Sequence, residues 1–197
     1  MSITESGFDK TLGFLQSEEF DKLIAATKEF WDECDYMGNP GASEKEIDKL
    51  AKKFKKLYSV PAPEGYIAFM KKLKGFKYNK FDIYPCGMAA AVNEKGDPYF
   101  IFGHDDKNRL AYNPETGKYV ILKIDYRAFE MSVTPVIGHD TKGRPIRIKK
   151  AETKGTAAKC EVIETYESFA DLFKTVMMYT LPDDKLHKVY PELKSWT

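Results

Sequence analysis

Cysteine and histidine are scarce in this chain, and no apolar run reaches the length needed to cross a bilayer. The three cysteines, Cys34, Cys86 and Cys160, are odd in number and far apart, which argues against a disulfide framework and a zinc knuckle and leaves buried free thiols. Cys86 follows Pro85 without a histidine beside it to lower its pKa, so it reads as inert. Of the three histidines, His104 is followed by Asp105 and Asp106, but adjacent turn residues rarely converge on one ion and no second imidazole is placed to join them. His139-Asp140 reads as a surface turn, and Asp183-Asp184, ahead of His187, as the cap of a short helix. No metal or cofactor is therefore expected. The chain has no Gly-x-Ser-x-Gly elbow, no phosphate loop and no dinucleotide fingerprint, so no catalytic residue is nominated. The opening Met1-Ser2-Ile3-Thr4-Glu5-Ser6 lacks the basic and apolar regions of an export signal, which points to the cytoplasm and away from membranes.

What is present is a chain of 197 residues, 43% hydrophobic and 14% aromatic, a composition that suits one domain spanning 1–197 with a substantial core. Its net charge of +1 conceals an uneven distribution. Residues 1–44 hold ten acidic and three basic residues, a net of −7, whereas residues 45–80 hold eleven lysines against Glu46, Asp48 and Glu64, a net of +8. Either the acidic segment packs beside the lysine-rich one and partly neutralises it, or the lysines form an exposed basic face. Against nucleic acid as the partner of such a face, the lysine-rich stretch has no arginine, no zinc-finger spacing and no aromatic RNA-binding signature.

The chain is organised around Ser43 to Tyr84. Ser43 followed by Glu46 is a capping box that starts a helix, and Ile47, Leu50, Ala51, Phe54 and Leu57 recur on one face of it, with lysines on the others. Burying the four large residues is worth roughly 6–12 kcal/mol gross. Pro61 and Pro63 end this helix before Val60 and permit a second from Pro63, with Tyr66, Phe69, Met70 and Leu73 as its apolar stripe. Gly75 is expected to close that helix with a positive φ. Phe81 and Ile83 then open a strand.

On the N-terminal side, Ser17-Glu18-Glu19 caps a helix carrying Phe20, Leu23, Ile24, Thr27 and Trp31, which Gly38-Asn39-Pro40-Gly41 breaks. Beyond the central stretch, Met88–Val92 and Tyr99–Phe102 flank Asn93-Glu94-Lys95-Gly96-Asp97 as a hairpin, and strands around Arg109–Tyr112 and Lys118–Ile124 continue it as a meander. Met131–Ile137 and Ile146–Lys149 read as a peripheral hairpin. Ser168 caps a last helix carrying Phe169, Leu172, Phe173 and Val176, stopped by Pro182.

The capped lysine-rich helix, the proline link, Pro63-Glu64-Gly65-Tyr66 running into Ile67-Ala68-Phe69-Met70-Lys71, a glycine and an aromatic strand together resemble the opening of the SUKH superfamily, which holds fungal cell-wall-synthesis regulators and many bacterial immunity proteins. Phe100-Ile101-Phe102-Gly103-His104-Asp105, Leu110-Ala111-Tyr112-Asn113 and Tyr166-Glu167-Ser168-Phe169-Ala170-Asp171-Leu172-Phe173 follow in the superfamily's order. The resemblance covers residues 43–176, leaving 1–42 as an N-terminal helical extension. It implies an α+β fold with helices packed on one face of a mainly antiparallel sheet. It also implies a non-enzymatic immunity protein that neutralises a cognate toxin domain, with a cytoplasmic scaffold or adaptor of the cell-wall regulator type as the alternative. Many immunity proteins against nucleases are acidic and this chain is not, so a toxin of another activity fits better. A monomer or weak dimer is expected. Contact with a protein partner is assigned to Tyr78, Asp105, Asp106 and Arg109, because binding residues gather on loops held by a rigid scaffold and interfaces favour aromatic and arginine side chains.

Overall fold

The computed structural model describes residues 6–28, 41–85, 89–92, 98–124, 136–139, 145–147 and 160–192, and everything below refers to these. Six helices and nine strands are found among them. Each of the first three helices starts at a serine whose hydroxyl takes a first-turn N–H that has no partner inside the helix. Ser6 caps α1 (Gly7–Leu15) through Asp9, and Ser17 caps α2 (Glu18–Ala26) through Phe20. At α3 (Glu44–Tyr58) both halves of the capping box form, and Ser59 closes the helix in the left-handed conformation with φ 61°. The helix expected from the Ser17 cap is α2, and α1 is a further helix ahead of it, where none was expected; Gln16 ends α1 and Ser17 begins α2. Trp31 and the Gly38–Pro40 break lie outside the described residues.

The apolar stripe of α3 runs through Ile47, Leu50 and Phe54 to Tyr58 rather than Leu57, which is 51% exposed. Tyr58 sits 4.7 Å from Phe54 ring to ring and donates its hydroxyl hydrogen to the Tyr99 carbonyl. After the proline link, α4 (Glu64–Lys72) has Pro63 at its N-cap with no side-chain cap. The missing acceptor comes from elsewhere: the Tyr119 hydroxyl accepts the Tyr66 N–H at 3.2 Å. At its other end α4 stops by turning extended at Leu73, φ −134°, and Gly75 does not take the positive φ expected of it. The chain leaves directly into a strand, so no left-handed closing residue is needed.

Strands β1 (Phe76–Tyr78), β2 (Phe81–Ile83), β3 (Ala89–Val92), β4 (Pro98–Asp105), β5 (Asn108–Asn113), β6 (Lys118–Ile124) and β9 (Cys160–Tyr166) form one antiparallel sheet in the order β1-β2-β4-β5-β6-β9. β3 also pairs with β4, along Pro98 to Ile101, while β2 pairs with Gly103 to Asp105, so the two short strands lie end to end on one edge of β4. A bulge at Phe102 separates them. Gly103 is required there, since a Cβ would fall 2.3 Å from the Asp82 carbonyl oxygen. β7 (Val136–His139) and β8 (Pro145–Arg147) make a separate two-stranded hairpin. The rest of that expected hairpin, and the loop at Asn93–Asp97, lie outside the described residues. The last helices are α5 (Phe169–Thr180), capped by Ser168 as expected, and α6 (Asp183–Val189). Pro182 takes the N-cap of α6, placing Asp183 and Asp184 in its first turn instead.

One face of the sheet, through Phe100, Phe102, Leu110, Tyr119 and Ile121, packs with residues from all six helices in a single aromatic core. Phe169 and Phe173 sit at its centre, within 6.2 Å ring to ring of Phe14, Phe69, Phe76 and Phe102 among others. Among the described residues, the N-terminal segment packs through α1 against the lysine-bearing α4 and is also tied to α5: Lys174 meets Glu19 at 2.6 Å and Lys10 meets Asp171 at 2.7 Å. The α3 lysines face solvent. The opposite face of the sheet is buried as well, through Tyr99, Ile101, Ala111, Val120, Leu122 and Ile124. No helix among the described residues is long and apolar enough to cross a membrane.

Candidate partner-binding site

Two turns meet at one end of the sheet. Asn79 (φ 53°) begins the turn from β1 to β2, and Asp106 (φ 46°) begins the turn from β4 to β5. Asparagine and aspartate tolerate this left-handed backbone better than other side-chain-bearing residues. The turns are joined: the Asp106 N–H donates to the Lys80 carbonyl at 3.1 Å, and the Lys80 ammonium lies 3.2 Å from the Asp106 carboxylate. The turn after β1 and the turn after β4 therefore share one rim.

The four residues assigned from sequence do not share one surface. Tyr78 is 3% exposed and faces the helical core, with Lys185 of α6 over its ring at 5.4 Å. It is a core residue, correcting its assignment to a partner contact, because it stands on the same side of β1 as buried Phe76. Asp105 and Asp106 do sit on the rim, the first half-buried and the second exposed. Burial, followed by the charge of Asp106, pushes the Asp105 carboxyl above the usual carboxylate range. Arg109 lies on the opposite face from Tyr78. Side chains alternate along a strand, so Arg109 shares the side of Ala111, whereas Leu110 joins the helical core.

Arg109 is the end of a row that sequence reasoning missed. The pairing registers Lys77↔Asp82, Asp82↔His104 and His104↔Arg109 set these residues abreast across β1, β2, β4 and β5. Lys77, Asp82, His104 and Arg109 are all half-buried, and the row ends against buried Leu122 of β6. Tyr84 adds its hydroxyl, 2.9 Å from His104 Nδ1. Burial, above all, pushes the His104 pKa below its ordinary value, with Asp82 opposing and Arg109 reinforcing the shift. The shift favours the neutral imidazole. Burial likewise raises the Tyr84 phenol.

No family model, no curated protein and no solved structure matches this chain.

The row offers a guanidinium, an ammonium, a carboxylate, an imidazole and a phenol within one half-buried strip, next to a rim of further charges. Such a strip can recognise a polar surface through directional hydrogen bonds and charge pairs. Among the described residues, no group of three or more His, Cys, Asp or Glu is arranged to hold a metal. Cys160, the one described cysteine, is half-buried, and burial pushes its thiol pKa up. Cys34 and Cys86 lie outside the described residues. No local motif signals the row, because its members come from four strands and meet only once the registers are set.

Proposed function

We propose that this chain is a non-enzymatic protein-binding protein of the SUKH type, and specifically a bacterial immunity protein that occupies a cognate toxin domain. The observation that carries the reading is the rim formed by the two joined turns, with the strip through Arg109, His104, Asp82 and Tyr84 beside it. A rigid sheet holds both, and arginine and tyrosine, two of the strip's members, are among the side chains that dominate the binding energy of protein interfaces. The order of a boxed α3, a proline link, α4 and an aromatic strand supports the same reading through the resemblance described above. The near-neutral total charge favours a toxin other than a nuclease, since the strip mixes both signs instead of presenting the carboxylates that a basic nuclease cleft attracts.

The test is co-expression with the product of the neighbouring gene in cells whose growth that product arrests. Rescue of growth, with a one-to-one complex that dissociates slowly, is the expected result. Continued arrest together with the absence of a complex between the purified proteins refutes the proposal.

A further inference from the structure

A second surface lies on the helical side, away from the rim. α1, α3, α4 and the proline link enclose an open groove of about 630 Å³, within the size range of sites that bury a ligand. Its lining is mostly apolar. Phe8 and Leu12 of α1 and Ile67 of α4 form the walls, and the small side chains of Ala51, Ala62 and Ala68 leave the space between them. The groove is polarised end to end. Glu64, exposed in the first turn of α4, stands at one end, where an adjoining hollow of about 330 Å³ is lined by Tyr112 and Tyr119. Lys71 and Lys72, exposed in the last turn of α4, stand at the other. The nine residues of α4 set the distance between these ends at roughly 12 Å, a little over two helical turns.

We propose that this groove docks an amphipathic helix of a partner protein, laid antiparallel to α4 with its apolar stripe inward. A helix presenting residues i, i+3, i+4 and i+7 fills a groove of this length and lining. The charges fix its direction. An acidic first turn meets Lys71 and Lys72, and a basic last turn meets Glu64 with its stem in the tyrosine-lined hollow. Acidic starts and basic ends are also what a helix's own dipole favours, so the docked segment is stable in the orientation the groove selects. The proposal is independent of the rim and of the toxin assignment.

The probes are two fluorescent stapled peptides of about 15 residues, the length at which an isolated helix becomes marginally stable. Both carry leucines at i, i+3, i+4 and i+7. One has glutamates in the first turn and lysines in the last, and the other has them exchanged; the staple equalises their helicity. The first peptide should bind about tenfold more tightly than the second. Glu64→Lys combined with Lys71→Glu and Lys72→Glu should invert that preference. Ala68→Trp should abolish binding, with Ala51→Leu as the milder filling should the tryptophan variant fail to fold. Arg109→Ala should leave peptide binding unchanged, which separates this surface from the rim. Equal affinity for the two peptides, no binding of either, or binding indifferent to groove filling overturns the proposal. So does concentration-dependent dimerisation abolished by Ala68→Trp, which makes a second copy of the chain the occupant.

Discussion

Tyr119→Phe removes one oxygen atom and should unfold the protein by an amount that can be worked from the structure. The first turn of α4 has no cap of its own, since Pro63 offers no side-chain acceptor. The Tyr119 hydroxyl accepts the Tyr66 N–H at 3.2 Å, and Gly65 and Tyr66 are both buried. The variant leaves a buried main-chain donor without its acceptor, at a cost of about 1–3 kcal/mol. Taking about 2 kcal/mol, the urea midpoint should fall by about 0.7–1 M at an unchanged slope of about 2–3 kcal/mol/M, and the melting temperature by about 4–8 °C. Tyr112→Phe, which trims a neighbouring ring 5.1 Å away outside the cap, should stay within about 0.5 kcal/mol. A rescue makes the test specific. Serine at position 63 would stand at the N-cap, three residues before Tyr66, and its hydroxyl could take the same N–H, so Pro63→Ser should recover about 1 kcal/mol in the Tyr119→Phe background. A loss below about 0.5 kcal/mol in Tyr119→Phe, or a Pro63→Ser effect that is the same with and without Tyr119, refutes the reasoning.

Four further outcomes follow from the fold. Gly41→Ala should destabilise by more than about 2 kcal/mol in denaturant titrations, because a Cβ there would lie 1.8 Å from the Lys71 carbonyl oxygen. Tyr78→Ala should cost about 3–5 kcal/mol of stability, whereas Arg109→Ala should weaken a partner complex by about 1–2 kcal/mol while changing the melting temperature little; the reverse pattern overturns the placement of these residues. Burial raises the phenol pKa of Tyr58 to about 12 and those of Tyr84, Tyr112 and Tyr119 above their ordinary value. A raised folded pKa stabilises below the unfolded value near 10 and loses that contribution as pH climbs toward the folded one, so stability should decline between about pH 10 and 12, as read by phenolate absorbance and circular dichroism together. Lys74, 2.7 Å from Glu46, and the Ser43 cap hold the Glu46 carboxyl at about 2. Its contribution is therefore present above the unfolded carboxylate range and fades as pH falls through about 2, and Lys74→Met should raise its NMR titration midpoint.

Features governed by neighbours in sequence were legible. The capping box at Ser43, the caps at Ser17 and Ser168 and the end of α3 before Val60 all depend on residues within four positions of one another. The placement of Leu57 and Tyr58 was not, because both lie near the apolar arc of α3, and it is contacts with the Phe54 ring and the distant Tyr99 carbonyl that hold Tyr58 inward. Gly75 misled because α4 passes straight into β1. The doubly buried sheet left a trace that could have been read: Tyr99-Phe100-Ile101-Phe102 and Tyr119-Val120-Ile121-Leu122 are unbroken apolar runs, the pattern of strands covered on both faces. The Lys77–Arg109 row left none, since a shift of one residue in any register would scatter it.

The clamp between α1 and α5 has a consequence for biosynthesis. α1 reaches α5 through Lys10 and Asp171 and through the bond from the Ala170 N–H to Thr11 Oγ1, a separation of 159 residues. At about 5–20 residues per second, α1 leaves the ribosome roughly 8–30 s before the helix that completes its burial. Phe14, Leu15 and Phe20 are exposed to chaperones and to other nascent chains for that interval. The helix made later therefore closes the one made earlier, and a ribosome that stops before Ser168 releases a chain in which α1 and α2 lack Phe173 as a packing partner.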